Sequence, residues 1–176
     1  NLKDVTLNCE FDGIIHGGMG SSASAAVALV GAVNKYLNLE MNSEEIAKKA
    51  WEIEVNKLGL FGGKQDQYAA SLGGMNVIEF GVNTTVVPLN GTKGTDIIPW
   101  IVLFFTGLTR QNPKIQEAFK EPTNEQLAVL NHLKRLTAEA IDPLMKGDFE
   151  KVGRLLDISW ELKKDSNKEI TLPEID

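Results

Sequence analysis

A glycine- and serine-rich stretch separates an alternating apolar segment from a long run of small and apolar residues. It reads Gly17-Gly18-Met19-Gly20-Ser21-Ser22-Ala23. Glycine lets the backbone approach an anion closely, and the first turn of a helix offers N–H groups that have no intrahelical partner. The stretch therefore predicts a phosphate-binding loop at the start of a helix that runs to Leu37. The alternative is a small-residue helix start packed tightly against a sheet.

Two phosphate-loop patterns can be compared with this stretch. The P-loop requires Gly-Lys-Ser/Thr, which is absent here. The dinucleotide fingerprint fits Gly18-x-Gly20-x-x-Ala23, and Glu40 stands where that pattern places an acidic residue. The residues after Glu40 predict a new helix instead of a second parallel strand. A module that binds a nicotinamide dinucleotide therefore remains the weaker alternative.

A second helix is predicted from about Asn42 to Leu58, with Asn42 and Glu45 as a capping pair. Glu54 falls in the middle of its apolar stripe. At ~100° per residue, that stripe comprises Ala47, Ala50, Trp51 and Leu58. A carboxylate on a buried stripe is unfavourable unless a cation or strong hydrogen-bond donors meet it. Glu54 is therefore predicted to bind a metal or an ion-pair partner, the alternative being an edge position that reaches water.

The third polar feature is a glycine-punctuated turn, Gly59–Gly63, which leads into a short helix with Lys64 and Asp66 at its start. An aspartate near a helix N-terminus is most often a cap. Here it follows a predicted phosphate loop and an inward-facing Glu54. This combination, with Lys64 beside Asp66, favours a functional role for Asp66 over a cap alone.

These residues resemble the GHMP small-molecule kinases, named for galactokinase, homoserine kinase, mevalonate kinase and phosphomevalonate kinase. The run Gly18–Ala23 is similar to the family's phosphate loop, Gly-Leu-Gly-Ser-Ser-Ala. Within the family, the heptose 7-phosphate kinase branch is the most similar. The segments that carry this similarity are Gly62–Ala70, Gly73–Asn76, Phe105–Arg110 and Ser159–Lys164.

The resemblance implies phosphoryl transfer from ATP to a hydroxyl of a sugar or sugar phosphate, at the anomeric position of a heptose 7-phosphate-type substrate. Gly17–Ala23 would bind the phosphates of ATP, and Ser22 with Glu54 would hold Mg²⁺. Asp66 would accept or orient the proton of the attacking hydroxyl.

Candidate substrate contacts complete the implied site. They are Lys64, Gln65, Tyr68 and Arg110. Arg110 could meet a substrate phosphate through a bidentate contact, or equally form a surface ion pair. Two other functions stay open: a non-catalytic nucleotide-binding or regulatory relative, and another GHMP kinase of the galactose, fucose or mevalonate type.

The predicted fold class is α+β, as a two-lobed GHMP kinase fold. Residues 1–92 would form the ribosomal S5-like, ATP-binding N-terminal lobe, and residues 93–176 part of a ferredoxin-like C-terminal lobe. Strands are predicted at Val5–Phe11, Asn76–Phe80, Thr84–Pro88 and, as a buried strand, Ile98–Phe105. Two amphipathic helices should follow. Their predicted apolar faces are Leu130, Leu133, Thr137, Ala140 and Leu144, then Phe149, Val152, Leu156 and Trp160.

The resemblance also has departures. The family's N-terminal motif and C-terminal glycine-rich motif are not found between Asn1 and Asp176. We therefore expect an internal piece of a longer kinase that is inactive on its own. Its second lobe should expose the apolar face of Ile98–Phe105, which would favour a homo-oligomer.

Composition limits the partners. A net charge of −6 with scattered basic residues argues against a nucleic-acid or membrane surface. No apolar run is long enough to span a membrane, and no signal peptide is visible. Cys9 is the single cysteine, so a reducing cytoplasm is the simplest predicted compartment.

Overall fold

The computed structural model describes residues 5–12, 17–60, 62–89, 93–107, 122–167 and 170–171. Three helices come first, two consecutive strands follow, and two long helices come last, a segregation that confirms the α+β class. The elements are α1 Ser21–Leu37, α2 Ser43–Glu52, a π-helical turn Ile53–Lys57, α3 Gln65–Leu72, β1 Asn76–Phe80, β2 Thr84–Pro88, a 3₁₀ segment Lys93–Trp100, α4 Asn124–Lys146 and α5 Phe149–Ser166.

The described residues form two compact units, which divide between Gly73 and Gly74. The sequence placed the boundary between the lobes at residues 92 and 93, and that assignment stays a prediction. In the first unit, α1, α2 and α3 pack against one another. Small residues let these helices approach closely, because Ala23, Ala47 and Ala50 are buried where they meet.

The capped start predicted for α2 is confirmed. The last part of the predicted helix is a π-helical turn instead of an α-helix. The side chain of Asn42 accepts from Glu45 N–H at 3.0 Å, and Glu45 Oε2 accepts from Asn42 N–H at 2.8 Å. After Glu52 the chain widens into the π-helical turn, in which Leu58 N–H donates to Ile53 O at 3.0 Å. The wider turn breaks the 3.6-residue phase. Leu58 is therefore exposed instead of lying on the buried stripe.

The second unit begins with a β-hairpin whose strands match the predicted ones. β1 and β2 are antiparallel, with Asn76 opposite Pro88 and Phe80 opposite Thr84. A helical hairpin of α4 and α5 follows. Thr123 and Gln126 cap α4 reciprocally, and Gly147 ends it in the left-handed conformation at φ 77°. Asp148 caps α5 by accepting from Lys151 N–H at 3.1 Å.

The buried faces of α4 and α5 match the predicted ones only in part, and Val152 is the predicted residue that is buried. On α4, Leu136 and Pro143 are buried, whereas Leu130 and Thr137 are exposed. On α5, Val152 and Leu155 are buried, whereas Leu156 is exposed. Each helix carries apolar residues around more than one face, so the partner helix decides which face is covered.

Two predicted strands are wrong. Residues 5–12 have no strand structure, and within the described chain no strand lies beside them. Ile98 and Trp100 lie in the 3₁₀ segment with Pro99 between them, and residues 101–106 form no strand. A strand requires a partner for its backbone N–H and C=O groups. The apolar run of 98–105 is exposed, as expected for a segment without cover.

The exposed segment 98–105 leads to a prediction about assembly. Val102 is 72% exposed and Phe104 is 81% exposed. Contiguous exposed apolar residues favour association with a second copy. The 176-residue chain should therefore have a mass above 19.3 kDa in size-exclusion light scattering. The double variant Val102→Ser, Phe104→Ser should shift this mass toward the monomer, and Leu156→Ser, at another exposed apolar position, should not. A monomer at all concentrations would contradict the prediction.

Candidate active site

The predicted phosphate loop leads directly into α1. Gly18 and Gly20 have φ values of 74° and 69°, in the left-handed region that favours glycine. Gly20 is the residue that precedes the helix, and no side chain caps the first turn. The first turn also contains no acidic residue. The positive end of the α1 dipole and its first N–H groups are therefore suited to an anion.

Glu54 is held by donors from the other two helices of the first unit. Glu54 is 6% exposed and belongs to the π-helical turn. Ser22 Oγ, on the first turn of α1, donates to Oε1 of Glu54. Gln67 Nε2, on α3, donates to Oε2 at 2.6 Å. The inward orientation predicted for Glu54 is confirmed, and Ser22 and Glu54 lie together as the magnesium prediction requires.

The surroundings of Glu54 favour a cation. In the described part of the chain, no lysine or arginine forms an ion pair with Glu54. An apolar cavity of about 300 Å³ lies beside the carboxylate. It is lined by Ser22, Ala25, Ala26, Leu29, Val30, Ile53, Glu54 and Leu58. A carboxylate buried against apolar groups is stabilised by a positive charge more strongly than the same group in water.

The donor set fits Mg²⁺. A hydroxyl and a carboxylate supply hard oxygen ligands, and Mg²⁺ is commonly held by one or two carboxylates together with substrate phosphates. No cluster of three or more His, Cys, Asp or Glu side chains is found among the described residues. Gln67 Oε1 is buried and has no hydrogen-bond partner within the same residues. Such an acceptor costs about 1–3 kcal/mol, which a donor arriving with a ligand would recover.

Asp66 lies against the phosphate loop. It is exposed in the first turn of α3, which Lys64 precedes, and no side chain caps that helix. A Cβ placed on Gly20 would lie 3.7 Å from both Cβ and Cγ of Asp66. The structure therefore brings a solvent-accessible carboxylate next to the loop, and Asp66 is not the cap of α3.

The predicted substrate contacts have different surroundings. Lys64 is half-buried, whereas Gln65 is exposed and its amide folds back over Gly63. Tyr68 is only 3% exposed, so a sugar could reach little of its surface. Arg110 lies outside the described residues. The role of each residue stays a prediction.

Trp51 is a residue that the sequence assigned only to the apolar stripe. Its indole Nε1 donates to Gly62 O at 3.1 Å, and Lys64 Nζ lies 4.6 Å from the centre of its ring. Trp51 thus holds the turn that precedes α3 and one of the candidate substrate contacts. Residue spacing did not predict this role, because both contacts depend on how the turn lies against Trp51.

Known proteins with similar sequences are kinases. Residues 3–74 match the family described as GHMP kinases N terminal domain. The D-glycero-alpha-D-manno-heptose 7-phosphate kinase of Campylobacter jejuni is 35% identical over 153 residues, which span 84% of this chain and 45% of that protein. The L-fucokinase/L-fucose-1-P guanylyltransferase of Bacteroides fragilis is 27% identical over 84% of this chain and 16% of its own.

Fold similarity agrees with the sequence matches. A crystal structure described as that of a sugar kinase from Campylobacter jejuni has a TM-score of 0.57 and 33% identity. The alignment covers 80% of this chain and 40% of that one. The chain thus spans less than half the length of these relatives. Residues 3–74 thus match a GHMP kinase N-terminal domain, and most of the chain is similar to a heptose 7-phosphate kinase.

Proposed function

We propose that this chain carries the nucleotide site of a kinase that transfers the γ-phosphoryl group of ATP to a hydroxyl of a sugar or sugar phosphate. The observation that carries the proposal is the meeting of three features in one compact unit. The uncapped start of α1 supplies N–H groups for phosphates, Ser22 contacts the buried Glu54, and Asp66 lies beside Gly20. Phosphoryl transfer depends mainly on such positioned charges and donors.

Each group has a distinct proposed task. The backbone from Gly17 to Ala23 binds the phosphates of ATP and fixes them at the positive end of α1. Ser22 and Glu54 would hold Mg²⁺, which would neutralise negative charge on the phosphates when bound. Asp66 accepts or orients the proton of the attacking hydroxyl. Its exposure leaves room for an acceptor next to the loop.

A heptose 7-phosphate is the proposed acceptor class, with its anomeric hydroxyl as the attacking group. Support comes from the resemblance of the turn and α3, residues 62–70, to the heptose kinase branch and from the heptose 7-phosphate kinase among the relatives. Lys64, Gln65, Tyr68 and Arg110 are the proposed contacts. Lys64 and Arg110 supply the positive charge that a sugar phosphate requires.

A substrate screen on the full native protein tests the function. ATP and Mg²⁺ would be incubated with heptose 7-phosphate, galactose, fucose and mevalonate, and ADP release measured. Turnover with the heptose phosphate above the other acceptors is expected. Turnover with another acceptor above the heptose phosphate would show that the proposed substrate class is wrong. Mg²⁺–ATP binding without turnover on any acceptor would favour a regulatory relative, and binding of NAD without ATP would contradict the nucleotide site.

The structure weakens the alternative that Gly18–Ala23 binds a nicotinamide dinucleotide. Helix α2, and not a strand, follows α1, so Glu40 lacks the βαβ unit that the fingerprint requires.

No helix in the described ranges is long and apolar enough to cross a membrane. We propose the cytoplasm as the compartment, in agreement with the single, exposed and free Cys9.

Trp51 gives a prediction about the acceptor side of the site. Trp51→Leu removes both the ring beneath Lys64 and the donor to Gly62 O, so Lys64 loses its orientation. A cation–π contact of ~0.5–1 kcal/mol corresponds to a rise of about 2- to 5-fold in KM for the sugar phosphate. ATP affinity should change little. Trp51→Phe should have a smaller effect because it keeps a ring.

A matched control exists in the second compact unit. Lys164 lies 5.8 Å from the centre of the Trp160 ring, so Trp160→Leu removes a similar contact within the second unit. This variant should leave KM for the sugar phosphate unchanged. An equal rise in both variants, or no rise in Trp51→Leu, would show that Trp51 does not orient Lys64 for the substrate.

A further inference from the structure

We propose that Gln67 is a positioning residue that holds the Glu54 carboxylate in the orientation in which Glu54 and Ser22 would bind Mg²⁺. This inference rests on the proposed function, because it assigns a role inside the same nucleotide site. Gln67 is 6% exposed and lies next to Asp66 in α3.

The hydrogen bonds to Glu54 come from two sides. Gln67 Nε2 contacts Oε2 at 2.6 Å, and Ser22 Oγ contacts Oε1. The terminal torsion of a glutamate is broad, so a carboxylate held at one oxygen only can rotate. Because Gln67 occupies Oε2, the other oxygen is directed to Ser22. The contact with Gln67 therefore fixes the plane of the carboxylate, with one oxygen directed at Ser22, the predicted metal partner.

The chemistry of the amide determines which atom of Gln67 faces the carboxylate. An amide oxygen in that place would put two acceptors in contact, whereas the amide nitrogen donates. The remaining atom, Gln67 Oε1, is the buried acceptor without a partner among the described residues. One end of the amide thus holds the carboxylate, and the other keeps a buried acceptor that a donor arriving with a ligand can meet.

The location of Gln67 also links the two carboxylates of the site. Asp66 and Gln67 are consecutive in α3, and Gln67 joins this helix to the π-helical turn that carries Glu54. Loss of the Gln67 contact should therefore weaken metal-dependent nucleotide binding, since Glu54 loses its fixed orientation. Nucleotide binding without metal should persist, because the backbone of the phosphate loop is unchanged.

The test uses Gln67→Met, which keeps the length of the side chain and removes its donor and acceptor. Affinity for a fluorescent ATP analogue would be measured with Mg²⁺ and with EDTA in the full native protein, together with the apparent affinity for Mg²⁺. Replacing a group that orients a metal ligand typically lowers metal affinity about 10- to 100-fold. A loss of this size with unchanged affinity in EDTA is expected.

Asn34→Ala is the matched control for losing a side-chain amide. Asn34 Nδ2 donates to Met41 O at 3.1 Å, and Asn34 Oδ1 accepts from Met41 N–H at 3.0 Å. This variant should lower the thermal midpoint without changing the apparent Mg²⁺ affinity. If Gln67→Met has no cooperative thermal transition, Gln67→Asn is measured in its place. Asparagine is one methylene shorter, so its amide nitrogen lies too far from Glu54 Oε2 to donate to it. The same loss of Mg²⁺ affinity is expected there.

A double-mutant cycle separates positioning from a general structural effect. If Gln67 acts through Glu54, Gln67→Met should cause no further loss in a Glu54→Gln background. Equal losses in both backgrounds, or an unchanged Mg²⁺ affinity in Gln67→Met, would overturn the role of Gln67. The proposed function fails separately, since an unsubstituted protein without Mg²⁺-dependent nucleotide binding would overturn the site itself.

Discussion

Asp66→Asn is expected to lower kcat by about 10²-fold or more and to leave ATP affinity nearly unchanged. The carboxylate lies beside Gly20 and is exposed, so it can reach an acceptor hydroxyl next to the phosphates. Asparagine has nearly the same shape and can still form hydrogen bonds, but it cannot take a proton. The measurement is steady-state turnover by ADP release, with ATP affinity determined by direct binding.

Glu54→Gln provides the contrast, because Glu54 is buried and bonded to Ser22 and Gln67. This variant should weaken Mg²⁺-dependent nucleotide binding, whereas Asp66→Asn should not. The two carboxylates are therefore distinguished by which constant changes. A kcat for Asp66→Asn equal to that of the unsubstituted protein would remove Asp66 from the chemistry.

Features determined by local chemistry could be predicted from the sequence. Asn42 with Glu45, and Thr123 with Gln126, form the reciprocal caps that their spacing predicts. Gly147 ends α4 because glycine adopts the left-handed conformation without strain. The hairpin of β1 and β2 likewise joins strands that are adjacent in sequence. The groups of each cap lie within a few residues, and those of the hairpin lie on two consecutive strands, so the local pattern contains the interaction.

Features that depend on distant partners could not be predicted in the same way. Residues 98–105 have the composition of a buried strand, yet a strand forms only where another strand accepts its hydrogen bonds. The buried faces of α4 and α5 depend on their mutual packing, so Leu136 and Leu155 are buried instead of Leu130 and Leu156.

In the candidate site, too, the sequence predicted the local feature and not the contact with a distant residue. The helical stripe predicted that Glu54 faces inward, and the burial of this residue agrees. The stripe did not predict the π-helical turn around Glu54 or its contact with Gln67. The contact depends on where α3 places Gln67, which residue spacing along one helix does not contain. The sequence thus identifies the charged group, and the packing of the neighbouring helix identifies what holds it.

Gly20→Val is expected to abolish ATP binding. Gly20 has φ 69°, a conformation that β-branched residues avoid, so valine would force the backbone out of the shape that directs the first N–H groups of α1. The added Cβ would also stand 3.7 Å from Asp66, and the two further methyl groups of valine would crowd that side chain. The change in the backbone acts on the binding of phosphate, and the crowding acts on Asp66.

Ser21→Ala is the control for Gly20→Val because it removes a hydroxyl from the same helix turn and keeps the backbone N–H. Its ATP affinity should fall only slightly. Binding of a fluorescent ATP analogue, with circular dichroism to establish that each variant is folded, gives the comparison. Folded Gly20→Val that binds ATP as tightly as the unsubstituted protein would show that this loop does not bind the phosphates. A severe loss in Ser21→Ala would instead assign binding to the hydroxyl, since the N–H groups that form the proposed cradle remain in that variant.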